Sequence, residues 1–452
     1  MLKKFRERIS GLTPFQIIVS YYFLAVSIST ILISLPVAHK PGIELSFLDA
    51  LFTAVSAVSV TGLTVVSTAD TFSTTGVFIL LLMLQVGGIG IMTLGTFIYV
   101  LIGKKIGLRQ RRLIMTDHNQ SNLSGLVILM KQILWLIIII ELIGAVILGT
   151  YFLKYYPTWQ EAYLHGLFAA VSATTNGGFD ITGQSLVPFA KDYFVQFITI
   201  ILITLGAIGF PVLIEVKDYL LNKRENGQSY RFSLFTKITT ITYFSLLIFG
   251  TLIILLFEFN HFFADKSWHE SFFYALFQSV TTRSGGLSTM NVSEFTEPTL
   301  LVMCALMFIG ASPSSVGGGI RTTTFALNLL FLFHFAKGRK TVKVFKRELH
   351  EEDVVKSLVV TMMAFMMFSL AIVILTLTEP FTLTEIIFEV SSAFGTTGLS
   401  MGITPGLSVI GKIIIILLMF IGRIGLLTFL FLIGKRSKEP NYHFPKERVI
   451  IG

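Results

Sequence analysis

The chain has little of what covalent or metal chemistry requires. It has one cysteine, Cys304, among 452 residues, so an internal disulfide is excluded. No cysteines and histidines stand together at the spacing of a metal site. The best candidate for an acid–base pair is Glu161 with His165, one helical turn apart in a short apolar segment. We therefore predict that the chain is not an enzyme and has no covalently bound cofactor.

Charge is also scarce, and apolar residues are correspondingly abundant. Charged residues make up 13% of the chain and hydrophobic residues 53%, with a mean hydropathy of +0.77, whereas soluble domains have about 25% charged residues. A helix needs about 20 mostly apolar residues to cross a bilayer. Runs of at least that length occur at residues 15–36, 76–102, 127–153, 194–216, 238–259, 298–335, 355–377 and 408–434. The sequence predicts a polytopic all-α protein embedded in a lipid bilayer.

The net charge of +9 is concentrated in segments that alternate with acidic loops. Residues 103–112 carry five basic and no acidic residues, and 336–348 form a second strongly basic segment. Shorter basic runs lie at 217–231 and 435–438. Basic segments next to transmembrane helices stay on the cytoplasmic side. This pattern places both termini in the cytoplasm, and it accounts for the charge without nucleic acid, which we do not expect as a partner.

A short element of small polar residues and glycine occurs four times. The copies read Ser-Ala-Val-Ser-Val-Thr-Gly at 56–62, Ser-Ala-Thr-Thr-Asn-Gly-Gly at 172–178, Ser-Val-Thr-Thr-Arg-Ser-Gly-Gly at 279–286 and Ser-Ala-Phe-Gly-Thr-Thr-Gly at 392–398. Each follows a short apolar segment and precedes a long one. The last glycines of the copies stand at positions 62, 178, 286 and 398, about 110 residues apart, and repetition at so regular a period indicates one structural unit used four times. In a membrane protein, four such units suggest a ring around a pore axis.

The apolar segments before these elements, at 46–59, 159–173, 267–282 and 382–395, are too short to span a bilayer. We predict re-entrant pore helices that turn back at glycine and threonine, which continue a helix poorly. Irregular backbone at membrane depth is tolerated where it is buried or lines a wet cavity. A ring of backbone carbonyls there can replace the hydration shell of a monovalent cation. Helix C-termini aimed at the same axis favour a cation over an anion.

The predicted ion selectivity filter takes three residues from each copy. They are Val60, Thr61, Gly62, Asn176, Gly177, Gly178, Ser284, Gly285, Gly286, Thr396, Thr397 and Gly398. The alternative is that the glycines only let helices pack closely, which is the commoner role of a single membrane glycine. Four copies in register favour the filter.

A second glycine element follows each filter by 24 to 28 residues, beginning at Gly87, Gly206, Gly310 and Gly422. The third of these cannot form an ordinary helix, because it is rich in glycine, serine and proline. Its residues are Gly310, Ala311, Ser312, Pro313, Ser314, Ser315, Val316, Gly317, Gly318 and Gly319. We predict a broken helix whose irregular segment is a gate below the filter, with a static kink as the alternative.

Arg423 is a basic side chain deep inside the last apolar run, at the position that corresponds to the irregular segment. An intramembrane charge needs a partner or water. We predict that Arg423 lines the cavity, bonds carbonyls of the gate and opposes cations in the closed state. The alternative is a structural arginine tied to helix ends.

A secondary transporter is the main alternative class of protein. It predicts two related halves and ionisable residues near the bilayer midplane. This chain has four related units, and we expect no acidic residue at the depth of the filters. A pore is therefore favoured over a secondary cation transporter.

The four filter glycines, the glycine- and serine-rich loop and Arg423 together resemble the Trk/Ktr/HKT superfamily of cation-translocating subunits. The resemblance implies four M1–P–M2 repeats around a pseudo-fourfold pore, with eight transmembrane helices and four re-entrant pore helices. The repeats would occupy residues 13–103, 127–222, 234–335 with a broken M2, and 354–434, followed by a cytoplasmic tail at 435–452. Short loops and few N-terminal residues before the first helix point to the membrane subunit of the bacterial Ktr type.

The resemblance also implies potassium uptake across the bacterial plasma membrane. Gly62, Gly178, Gly286 and Gly398 match the family's filter glycines, and the first is serine in sodium-preferring relatives. Only one glycine per repeat is left of the longer potassium-channel signature. This leaves sodium as a second permeating or coupled ion, and a less selective Na+/K+ symporter as the alternative.

The same resemblance implies partners. Ktr membrane subunits work as homodimers on a cytoplasmic ring of RCK regulatory subunits, and ATP and ADP would bind to those partners and not to this chain. The basic loops and residues 441–445 are the expected docking surface.

Overall fold

The computed structural model describes residues 13–90, 126–221 and 231–433, together with positions 445 and 447. The end of the first repeat, the basic segment 103–112 and the predicted docking residues 441–444 lie outside the described residues.

The four long M1 helices have the expected length and apolarity. They are Pro14–Ile33, Leu126–Phe152, Leu234–Glu258 and Glu351–Thr378. Each is long and apolar enough to cross a membrane. Their outward-facing side chains include many exposed large apolar residues, such as Leu252 and Met366, as expected for helices that face lipid. The prediction of a polytopic all-α membrane protein is confirmed.

Four short helices precede the glycine elements, and local sequence explains where each begins. They are Phe47–Val58, Trp159–Thr174, Trp268–Thr281 and Leu383–Gly395. Each starts after a serine or threonine N-cap and has an acidic residue three positions later, namely Ser46 with Asp49, Thr158 with Glu161, Ser267 with Glu270 and Thr382 with Glu385. The cap satisfies free amide groups, and the carboxylate stabilises the positive helix start. The predicted pore helices are confirmed.

The M2 helices are interrupted in every repeat where both halves are described. Repeat one shows Thr74–Ile89; repeat two has Tyr193–Ala207 and Phe210–Leu220, repeat three Glu297–Ile309 and Thr322–Ala336, and repeat four Val409–Ile424 and Leu426–Ile433. The bend is 106° in repeat two and 102° in repeat four. Sequence reasoning predicts a break only in the third M2, and it misses these two bends.

A glycine with positive φ marks each interruption. The φ angles are 87° at Gly90, 103° at Gly209, 72° at Gly310 and 88° at Gly425. Side chains other than hydrogen make this backbone costly. In repeats two, three and four the second glycine element is therefore the point where the inner half of M2 leaves the helix axis, and Gly90 has the same backbone conformation at the end of the described part of repeat one.

Contacts between repeats follow a cyclic order. Each pore helix packs against the M2 helix of the preceding repeat, and the first pore helix packs against M2 of repeat four. At this last joint, Nζ of Lys412 lies 2.8 Å from the Asp49 carboxylate, and both side chains are largely buried. The repeats thus form a closed ring with the pore helices on the inside.

The remaining elements are small. Short helical turns lie at Pro36–Ala38, Thr68–Thr71, Val187–Phe189, Val292–Glu294 and Thr404–Gly406. A hairpin of two short strands, Lys343–Val344 and Arg347–Glu348, connects repeats three and four.

Candidate functional site

The four glycines predicted to form the filter lie against one another at the centre of the ring. A methyl group placed on Gly62 would lie 2.6 Å from the carbonyl oxygen of Gly177 and 2.8 Å from Cα of Gly178. One on Gly178 would lie 2.9 Å from Cα of Gly286, and one on Gly398 would lie 3.1 Å from Cα of Gly62. Side chains cannot be placed at such distances without displacing the backbone, so the strands meet where only glycine fits.

The backbone just before each glycine is also unusual. The residue two positions earlier has positive φ in all four repeats: 57° at Val60, 53° at Asn176, 73° at Ser284 and 46° at Thr396. For a β-branched residue such as valine this conformation is a genuine outlier. Outliers of this kind cluster at functional sites, because the surrounding structure must hold them in place. The same outlier at the same position of four repeats indicates one specialised strand made four times.

Each strand is anchored through its amide groups to its own pore helix. The N–H groups of Thr61, Gly177 and Thr397 donate to the carbonyls of Ser56, Ser172 and Ser392, at 2.7 to 2.8 Å. Those of Gly62 and Gly398 donate to the hydroxyls of Ser56 and Ser392. The amides are thus used on the helix side of the strand. Carbonyl oxygens of Thr61, Gly177 and Thr397 lie at the ring of glycines instead.

This arrangement suits a cation and disfavours an anion. The pore helices end at Val58, Thr174, Thr281 and Gly395, directly before the filter strands. A helix C-terminus has about half a negative charge. Carbonyl oxygens and helix ends therefore bring partial negative charge to the same place.

Repeat three differs by its extra residue. Gly285 donates to the carbonyl of Thr281, four positions earlier instead of five as in the other repeats, and the Thr281 hydroxyl donates to the Leu287 carbonyl. Arg283 is fully buried here and donates to the carbonyl of Leu306, in the outer half of M2. The third strand is therefore tied to the helix that leads into the irregular segment.

The segment 310–319 is irregular, as predicted, and lies between M2 helices. The amides of Ser312 and Val316 donate to the carbonyls of Ala207 and Gly206 in repeat two. Apart from half-buried Ser314, its residues are all buried. Gly318 donates to the hydroxyl of the filter residue Ser284, at 3.3 Å. The segment, called the intramembrane loop below, thus touches the filter directly.

Arg423 lies against the loop. Its guanidinium donates to the carbonyls of Val316 in the loop and Gly87 in repeat one. The side chain lines a cavity of about 110 Å³ that extends from Tyr22 to Ser314 and Ser315. Two planar donors on two carbonyls are a geometry that arginine provides and lysine does not.

Sequence reasoning missed a second arginine in this cavity. Arg321 has a φ of 81°, donates to the carbonyl of Ser312 at 3.2 Å and lines the same cavity as Arg423. The sequence feature that could have revealed it is a basic residue two positions after Gly319. Two guanidinium groups near the loop strengthen the positive field on this side of the filter.

The expectation of no acidic residue at filter depth is wrong. Glu141, in the second M1 helix, is 5% exposed and accepts a hydrogen bond from Gln85. Gln85 lies half a turn before Gly87, which packs on the end of the first pore helix. Glu389 is buried within the fourth pore helix and accepts from the hydroxyls of Ser400 and Thr404. Both carboxyl groups are held by polar partners, so their bonding explains why a membrane protein tolerates them.

Comparison with known proteins agrees with this geometry. The family model described as TrkH, cation transport protein, matches residues 6–442. The chain belongs to this family. The predicted Trk/Ktr membership is therefore confirmed, and the ring of repeats described above is that of a family of cation transport proteins.

Individual members of the family are similar over the whole length. The chain is 66% identical to the Ktr system potassium uptake protein D of Bacillus subtilis strain 168, over 100% of both chains. It is 33% identical to the potassium/sodium uptake protein NtpJ of Enterococcus hirae, over 100% of this chain and 99% of that protein. The crystal structure of the potassium transporter TrkH from Vibrio parahaemolyticus has the same fold, with a TM-score of 0.73 at 19% identity, covering 94% of this chain and 86% of that one.

Proposed function

We propose that this chain is the ion-translocating subunit of a potassium uptake system in the bacterial plasma membrane. The observation that carries the proposal is the ring of four filter glycines, with carbonyl oxygens beside it and pore-helix C-termini behind it. Membership of a cation transport family and 66% identity to a potassium uptake protein support potassium as the ion. Both termini lie in the cytoplasm on this proposal, because the basic segments do.

In this function the twelve filter residues select the ion. Carbonyl oxygens replace the water around a dehydrated potassium ion, and side chains take no direct part. The close packing at Gly62 and its three counterparts keeps the ring narrow. The ion is the cargo and not a resident cofactor.

The intramembrane loop, residues 310–319, acts as the gate, and Arg423 holds it closed. Support comes from the burial of the loop below the filter and from the two carbonyls that the Arg423 guanidinium bonds. Opening requires the loop to give up these contacts.

On this proposal, a partner protein in the cytoplasm regulates transport. A homodimer of this chain would sit on a ring of RCK subunits, which bind ATP or ADP. Support comes from the Ktr system named for the Bacillus relative and from the exposed basic hairpin around Lys343 and Arg347. This hairpin follows the inner half of M2 in repeat three, so a partner bound there would act on the helix that continues from the gate.

Sodium is the second ion to consider. The filter has one glycine per repeat at the matching position, and one relative is named for both potassium and sodium uptake. With fewer carbonyl sites than the longer potassium-channel filter, the ring selects potassium over sodium less strictly. On this proposal sodium either permeates as well or couples to uptake.

Rubidium uptake tests the proposal. Potassium-starved bacterial cells without their own uptake systems would express the chain with and without an RCK subunit. We expect saturable uptake of radioactive rubidium that unlabelled potassium competes away, with sodium a weaker competitor. Uptake at the background level, with the protein shown to be in the membrane, would contradict a potassium pathway. Stimulation by external sodium would separate sodium coupling from simple permeation.

Replacing Arg423 tests the closed state. Arg423→Ala removes two bonds to carbonyls and a positive charge, so basal rubidium flux should rise by about tenfold or more, since one hydrogen bond to a charged group contributes about 1.5–3 kcal/mol. Arg423→Lys keeps the charge but cannot bridge Val316 and Gly87, and it should resemble alanine if the bonds dominate. Lys40→Ala, which changes an exposed basic residue in the loop between M1 and the first pore helix, is the control. A fall in flux for Arg423→Ala at normal protein levels would rule out a barrier role.

A further inference from the structure

The hydroxyl of Ser284 joins three parts of the molecule. Ser284 is fully buried and belongs to the third filter strand, two positions before Gly286. Its hydroxyl donates to the carbonyl of Gly395, the last residue of the fourth pore helix, at 2.9 Å. The same oxygen accepts from the N–H of Gly318 in the intramembrane loop, at 3.3 Å.

The loop is shaped to make this contact. A methyl group on Gly317 would overlap the Ser284 hydroxyl and lie 2.6 Å from Cβ of Ser284. A methyl group on Gly318 would lie 2.6 Å from the hydroxyl of Thr396, the matching residue of the fourth strand. The two glycines therefore allow the loop to approach two filter strands at once.

In repeat three, the residue two positions before the last filter glycine hydrogen-bonds the loop. Val60 has no hydroxyl or amide, and the side-chain amide of Asn176 is directed to the carbonyls of Ala173 and Ile203. The hydroxyl of Thr396 lies beside Gly318 but has no hydrogen-bond partner among the described residues. Of the four side chains at this position, Ser284 therefore supplies the link between loop and filter.

We propose that Ser284 is a positioning residue that couples the intramembrane loop to the filter, so that releasing the loop also changes ion preference. This rests on the proposed filter and gate. With the loop closed, the Gly318 N–H and the Gly395 carbonyl hold the Ser284 side chain and with it the third strand. When the loop leaves, the hydroxyl loses one of its two bonds and the strand loses its support from below.

The test uses the purified full-length chain in liposomes, with rubidium tracer flux and competition by potassium and sodium. Ser284→Ala should raise basal flux and lower the preference for potassium over sodium together, each by about twofold or more, since the bond to the loop alone provides about two- to twelvefold and the bond to the Gly395 carbonyl is lost as well. Ser284→Thr retains the hydroxyl and should restore both. Thr376→Ala is the control, since that exposed hydroxyl bonds Ile372 of its own helix.

A second variant disturbs the hydrogen bond between Gly318 and Ser284 by a change in the loop. Gly317→Ala pushes a methyl group against the Ser284 hydroxyl and should reproduce the Ser284→Ala phenotype. In a chain that lacks residues 317–319, Ser284→Ala should change flux and preference clearly less than in the full chain, because its loop partner is gone and only the bond to the Gly395 carbonyl is left to lose.

Three results would overturn the proposal. The first is a Ser284→Ala variant with altered flux and unchanged ion preference. The second is a Ser284→Thr variant that behaves like Ser284→Ala. The third is a Ser284→Ala effect that is as large in the chain without residues 317–319 as in the full chain. Failure of the filter itself is distinguished by Gly62→Ser. If that variant changes ion preference while Ser284→Ala does not, the filter stands and the coupling falls.

Discussion

Substitution of Gly62 by serine should reduce the apparent affinity for potassium by at least about tenfold and reduce it less for sodium. Gly62 has a φ of 92°, which an L-residue adopts only with strain; the loss of affinity comes from the displaced backbone around the ion, and about 1.4 kcal/mol of lost coordination is a tenfold change. The new side chain also meets backbone atoms of Gly177 and Gly178, which cannot rotate away. The backbone around the ion must move, and the space inside the ring becomes smaller. This weakens binding of potassium, the larger ion, more than binding of sodium. Competition of rubidium uptake by potassium and sodium measures both affinities.

The chain offers a matched control for this substitution. Gly402 has a φ of 91°, lies in the loop after the fourth filter strand and has open space within 4 Å of the point where a Cβ atom would stand. Gly402→Ser therefore has the same torsional cost without the overlap. We expect it to retain ion preference. Equal effects of Gly62→Ser and Gly402→Ser would mean that strain in a glycine turn, and not crowding of a filter, explains the loss.

Deletion of Gly317, Gly318 and Gly319 should raise the maximal rubidium flux by about tenfold or more. The closed loop is held by bonds from Ala311 to Gly318, from Gly318 to Ser284 and from Arg423 to Val316. Each neutral bond contributes about 0.5–1.5 kcal/mol, so losing them together shifts the closed state strongly towards the open one. Flux through purified protein in liposomes, normalised to the amount of protein, measures the change.

Deletion of residues 40–42, in the exposed loop between M1 and the first pore helix, controls for shortening the chain by three residues away from the docking surface. A loop deletion that is inactive yet elutes as a well-folded protein would favour a structural kink over a gate. A deletion with normal flux and normal dependence on the regulatory partner would remove the loop from the conduction path.

The pore helices were predictable to within about two residues, and the reason is local. Serine or threonine caps mark where they begin, and glycine or threonine marks where they end. The four-unit organisation could be read from the spacing of the glycine elements alone. Such signals lie within a few residues of the feature that they specify.

The bends in M2 were not predictable in the same way. Gly209 and Gly425 are interior glycines in apolar runs, and a glycine there costs only about 1 kcal/mol in a helix that stays straight. At Gly209 the bent backbone lies against the carbonyl of Pro313 in the loop, a contact that sequence does not reveal. Glu141 was missed for a similar reason, because its partner Gln85 belongs to another repeat.

The ring has one joint that no connecting segment crosses. Repeats one to four are joined in turn by the stretches after M2, whereas the first pore helix meets the last M2 helix through noncovalent packing, with Lys412 and Asp49 at the contact. At this joint noncovalent contacts alone resist separation of the two ends of the chain. We expect any widening of the ring to begin there, which makes the circumference of the filter depend on an ion pair between residues 363 positions apart in the chain.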